Sequence, residues 1–139
     1  MRDQSHRYRL PFWLDQETSA LIREMIDLLA SRYPELLAVI LYGSVARHEE
    51  RAIDAPDSSD VDLLAVFDRD ELNLTGRERE AFFLTLSPAY SHHLEAPRDI
   101  QFMLASRTFQ EWDTTFVANV RRDGVILYQR GVLPTSLTA

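Results

Sequence analysis

Apolar residues recur along this chain in two rhythms, one with helical spacing and one in unbroken runs of strand length. Leu14, Leu21, Met25, Leu28 and Leu29 follow the first and predict a helix from about Asp15 to Tyr33. Asp15 or Thr18 caps its start, and Pro34 ends it, because proline disfavours the helical conformation of the residue before it. Leu36–Tyr42 follows the second rhythm: LLAVILY is apolar throughout, as a strand buried on both faces should be. Val45–Arg51 predicts a short polar helix, and Ala52–Ser59 carries the turn chemistry of a surface loop. Val61–Phe67 is a second strand, apolar apart from Asp62.

Farther on, Thr75 and Glu78 have capping-box spacing, and Arg79, Phe82, Phe83 and Leu86 are expected to share one face of the helix that follows. Ser87-Pro88 redirects the chain, and Arg98–Leu104 reads as a third strand. Thr108 with Glu111 suggests another capping box, opening a helix that packs Phe109, Trp112, Phe116 and Val120 inward. Gly124 stops that helix, and Val125–Tyr128 is a short apolar strand. Residues 1–13 read as an irregular lead-in and 131–139 as a loose tail. Helices alternating with buried strands predict an α/β (α+β) domain, one mixed sheet covered by helices, spanning residues 1–139. The alternation does not fix the strand directions.

Composition narrows the function classes. The net charge is −7 and every basic residue except histidine is arginine. Long nucleic acid needs a basic footprint that so acidic a chain lacks, and without lysine a Walker-type phosphate loop is excluded. There is no cysteine, hence neither a disulfide framework nor a thiolate metal site. No apolar run approaches the ~20 residues of a membrane span, and charge and proline interrupt the N-terminal stretch, so it does not read as a signal peptide. These features predict a cytoplasmic protein that does not associate with membrane.

The chemistry gathers between the first two strands, in VILYGSVARHEERAIDAPDSSDVDLLAVF. Asp60 and Asp62 point to the same face of an extended strand, since successive side chains alternate. Two carboxylates on one face at a strand mouth suit divalent cations better than a core. Gly43 and Ser44 follow the first strand directly, where glycine permits close backbone approach to an anion. A nucleoside triphosphate with its metal is the natural guest. Other polar clusters read as ordinary surface. His92-His93 is expected in a solvated loop, Asp54 and Asp57 as loop charges, and Asp68, Asp70 and Glu71 as turn and cap residues.

The succession of apolar strand, GSVAR, loop and SDVDLL resembles the nucleotidyltransferase superfamily of polymerase-β-like fold, and within it the minimal nucleotidyltransferases. The resemblance covers roughly residues 15–130, including the closing RRDGVILY. It implies that Gly43, Ser44 and Arg47 hold the β- and γ-phosphates, and that Asp60 and Asp62 bind two Mg2+ ions. A third carboxylate from the next strand completes such sites. Asp99 is taken for that role, with Gln101, two residues on and on the same face, as the alternative that would place an amide there. The histidine at position 48, where glycine is common, and a long loop between the motifs are further departures.

By the same resemblance the reaction is transfer of a nucleoside monophosphate, AMP from ATP, to a hydroxyl. Minimal nucleotidyltransferases commonly act as antitoxins, the acceptor being a tyrosine of a helical HEPN-type toxin, so a homo- or hetero-oligomer is compatible with this reading. Two alternatives stay open: a degenerate module of the same fold that acts by docking, and an aminoglycoside-type nucleotidyltransferase. The latter usually adds a helical drug-holding domain, for which this sequence leaves no room.

Overall fold

The computed structural model describes residues 10–46, 60–109 and 115–130. Its first helix, α1 (Gln16–Arg32), begins where Asp15 accepts a hydrogen bond from the Thr18 N–H, which satisfies one of the helix's orphan donors. Leu21, Ile22, Met25, Ile26 and Leu29 form its buried stripe. The Tyr33 N–H closes the last turn on the Leu29 carbonyl, one residue before Pro34.

Strand β1 (Leu36–Tyr42) follows, then the single-turn helix α2 (Gly43–Ala46) and strand β2 (Val61–Phe67). Helices α3 (Gly76–Thr85) and α4 (Ser87–His92) lead to strand β3 (Ile100–Ser106), and α5 (Thr115–Asp123) to strand β4 (Val125–Gln129). The sheet order is β3-β2-β1-β4. β1 runs antiparallel to both β2 and β4, whereas β2 and β3 are parallel. A parallel pair needs a crossover connection, and α3 and α4 lie in it. The result is one mixed sheet with helices, an α+β arrangement.

Alternation along the strands divides the core in two. Leu41 of β1 and Leu63, Ala65 and Phe67 of β2 pack with α1, α3 and α4 on one face. Ala38, Ile40, Leu64 and Val66 face the other way, against Val117 and Val120 of α5 and Phe109. On that second face the edge strand β3 keeps an open surface, with Met103 41 % exposed and Gln101 exposed as well.

The Thr75–Glu78 capping box forms in full, side chain to backbone in both directions. The expected packed face of α3 is narrower than its spacing suggested: Phe82 and Leu86 are buried, but Phe83 is 47 % exposed and Arg79 is exposed. Position 83 lies at the edge of the buried stripe, and its ring meets Phe82 in a T-shaped contact. Thr108 donates its hydroxyl hydrogen bond to the Asp70 carbonyl, while Glu111 and Trp112 lie outside the described residues. Arg107 bridges Asp68 and Asp70, so these turn carboxylates fasten the end of β2 to the end of β3.

The histidine pair is not a solvated loop. His92 Nδ1 and His93 Nε2 meet the two oxygens of Glu24 on α1 at 2.7 and 2.8 Å. Adjacent helical side chains would diverge, but His93 has left the helix (φ −128°, ψ 54°), which lets both rings turn to one carboxylate. Among the described residues no helix is long and apolar enough to cross a membrane.

Candidate active site

The antiparallel register of β1 and β2 brings the end of one strand beside the start of the other, with Tyr42 opposite Asp62. The chain must then turn sharply away from the sheet. Gly43 does this at φ +82°, a left-handed conformation that strongly favours glycine. A second constraint acts on the same residue: a Cβ there would run into the carboxylate of Asp62. The turn therefore packs its bare backbone against that acid. Ser44 follows, partly exposed, as α2 begins. The indole N–H of Trp13 donates to the Val45 carbonyl at 2.8 Å, tethering α2 to a residue far upstream.

Asp60 stands exposed one residue before β2, and Asp62 is half-buried within it. The Asp62 carboxyl is raised above its ordinary value, first by burial and then by the charge of Asp60. Tyr42 is pushed up to about 12, first by burial and then by Asp62, and so stays a neutral phenol near neutral pH. Its ring packs edge-on against Phe116 of α5 at 5.3 Å between centroids. The opening thus holds two acids that repel each other, with a neutral phenol behind them.

The parallel register of β2 and β3 settles what stands beside the acids. Asp62 pairs with Gln101, and Val61 with Ile100. The Gln101 amide nitrogen lies 3.4 Å from Asp60 Oδ2, a long and weak hydrogen bond. Asp99 precedes the paired stretch, and its carbonyl accepts the Val61 N–H at 2.8 Å. Its charge bears on Tyr90, whose phenol is raised by burial first and by Asp99 second. The structure therefore brings together Gly43, Ser44, Asp60, Asp62 and Gln101, and sets Asp99 at the lip towards α4. Arg47 lies outside the described residues.

Magnesium keeps several waters and is commonly held by one or two carboxylates together with substrate phosphates. Asp60 and Asp62 fit that requirement, and a cation there would relieve the repulsion from Asp60 that adds to the effect of burial on Asp62. Among the described residues no group of three or more His, Asp or Glu side chains is arranged to hold a metal by itself. The pair suits a cation that arrives with its own phosphate ligands.

Two residues around the site were not singled out from the sequence for these places. Tyr42 had a signal, its position immediately before Gly43. Trp13 had none, because its hydrogen bond to Val45 spans 32 positions. Gln101 was legible as the alternative to Asp99, the choice between them depending on strand register.

No family model matches the chain, and no curated protein matches it in sequence. Solved structures do resemble it. A chain of a toxin–antitoxin complex with AMP-PNP is 20 % identical, with 84 % of this chain and 75 % of that one covered at a TM-score of 0.49. A complex of tri-AMPylated Shewanella oneidensis HEPN toxin with MNT antitoxin gives 17 % identity, coverage of 83 % and 74 %, and a TM-score of 0.48. A Sulfolobus solfataricus protein described as a candidate nucleotidyltransferase is 21 % identical, with coverage of 86 % and 94 % and a TM-score of 0.46. These neighbours are distant, and what they bind or modify belongs to them.

Proposed function

We propose that this chain is a magnesium-dependent nucleotidyltransferase that moves AMP from ATP, or the corresponding part of another nucleoside triphosphate, onto a hydroxyl group. The observation that carries this reading is the contact between the positive-φ turn at Gly43 and the carboxylate of Asp62, with Asp60 on the same face. A turn without a side chain beside two acids, one exposed and one half-buried, is suited to a polyphosphate that brings a divalent cation.

In this reading Gly43 and Ser44 receive the β- and γ-phosphates, and Arg47 adds positive charge to them. Asp60 and Asp62 hold the cation side. Asp99, just before β3, is the carboxylate proposed to take the acceptor's proton. Bound magnesium supplies charge neutralisation at the triphosphate. The acceptor oxygen attacks the α-phosphorus, the bond from that phosphorus to the bridging oxygen breaks, and pyrophosphate leaves with the bond's electron pair. The hydroxyl proton passes to a base or to water. Such a transfer depends on positioning and charge rather than on covalent help from the protein.

For the acceptor we propose a tyrosine hydroxyl on a helical HEPN-type partner, which would make the chain an antitoxin. This partner class rests on the motif resemblance alone. Incubation of the protein and such a partner with α-labelled ATP and Mg2+ tests it: label appears on the partner, and Asp60→Asn or Asp62→Asn lowers transfer by about 10²–10³-fold or more. Undiminished transfer by the double variant would remove these residues from the mechanism. A second reading, a docking module that no longer transfers nucleotide, draws support from Gln101 beside Asp62. It predicts that the same variants leave partner binding and biological effect intact.

A further inference from the structure

We infer that Gln101 confines this site to a single divalent cation, where a carboxylate in its place would admit two. The inference rests on the nucleotidyl-transfer reading and concerns the stoichiometry of its metal.

Its basis is local. Gln101 is the strand partner of Asp62, and its amide reaches towards Asp60. Two dications about 4 Å apart repel strongly and are held only when anionic ligands lie between and around them. At this opening the described anions are Asp60 and Asp62, and the third neighbour is a neutral amide. Its N–H2 end, as it stands, offers a donor to Asp60 and competes with a cation for that oxygen. Turned round, its carbonyl oxygen would be a ligand without charge. Asp99 does not restore the balance in this geometry: among the described residues no three carboxylates are grouped to hold a metal. One cation, sharing Asp60 and Asp62 with the phosphate tail of the nucleotide, is what this set accommodates.

Gln101 is exposed, so the isosteric change Gln101→Glu adds charge without disturbing the core. Gln101→Met removes the amide and adds none. The experiment is electron paramagnetic resonance of Mn2+ bound to the protein with an ATP analogue that resists cleavage between the α- and β-phosphates. Wild type and Gln101→Met are expected to show one isolated Mn2+ per chain. Gln101→Glu is expected to bind a second ion close enough for spin coupling. A coupled pair in the wild type would overturn the inference, and its loss in Asp99→Asn would identify Asp99 as the missing ligand. A single ion in Gln101→Glu would overturn it equally. If wild type holds no Mn2+–nucleotide at all, the nucleotide site itself falls and this inference with it, a result distinguishable from either stoichiometry.

Discussion

Gly43 satisfies two demands that no other residue type meets together. It holds a positive φ, which costs an L side chain about 1–2 kcal/mol, and it leaves room for the Asp62 carboxylate. Gly43→Ala is therefore expected to lower unfolding free energy by about 1–3 kcal/mol and to abolish nucleotide binding, as urea denaturation and calorimetry would measure. Gly76, whose added Cβ would meet nothing within 4 Å, is the control. Alanine there should leave stability unchanged or raise it by up to about 1 kcal/mol. The sequence makes Gly43, Asp60 and Asp62 legible, because a glycine after a strand and two acids with strand spacing have local meaning. It does not decide between Asp99 and Gln101. That choice depends on the register of two parallel strands joined through α3 and α4, a property of packing rather than of either strand alone. Trp13 is illegible for the same kind of reason: only the folded chain brings its N–H to Val45.

Among the elements, α1 and α4 are joined by a contact whose strength follows pH. Burial works to raise the Glu24 carboxyl, but hydrogen bonds from His92 and His93, together with their positive charge, outweigh it and hold the group below its usual 4.5. A carboxyl depressed in the folded state adds stability above its unfolded pKa and loses it as pH falls through the folded one. The margin of wild type over Glu24→Gln, a few tenths to about 1 kcal/mol for so accessible a contact, should therefore shrink as pH drops below 4.5. A margin that grows on acidification in pH-dependent denaturation would contradict this. Helix starts are legible when they are local: Asp15 caps α1, and Thr75 with Glu78 forms its box, as their spacing suggests. The His92–His93 contact is not, since it depends on the chain leaving the helix at His93 and on a glutamate from α1.

Across the whole molecule, the two apolar strands β1 and β2 form the centre of the sheet and carry the site at one end. Their apolar runs, broken only by Asp62, foretell burial on both faces, while the directions of β3 and β4 emerge only from the connections between strands. Phe82 ties the larger core together, its ring meeting Tyr33, Phe67, Phe83 and Phe102 at 5.1–6.2 Å between centroids. Phe82→Ala should cost about 3–5 kcal/mol in chemical denaturation, the usual loss for a fully buried aromatic. Because β3 hangs on this core through Phe102, the same change should also weaken nucleotide binding. Asp60, Asp62 and the Gly43 turn are proposed to form a metal-dependent nucleotide site. The decisive measurement is calorimetric titration of ATP, with and without Mg2+, into wild type and Asp62→Asn. Binding is expected to require Mg2+ and to disappear in the variant. Binding that is indifferent to Mg2+, or that survives Asp62→Asn unchanged, would contradict the proposal.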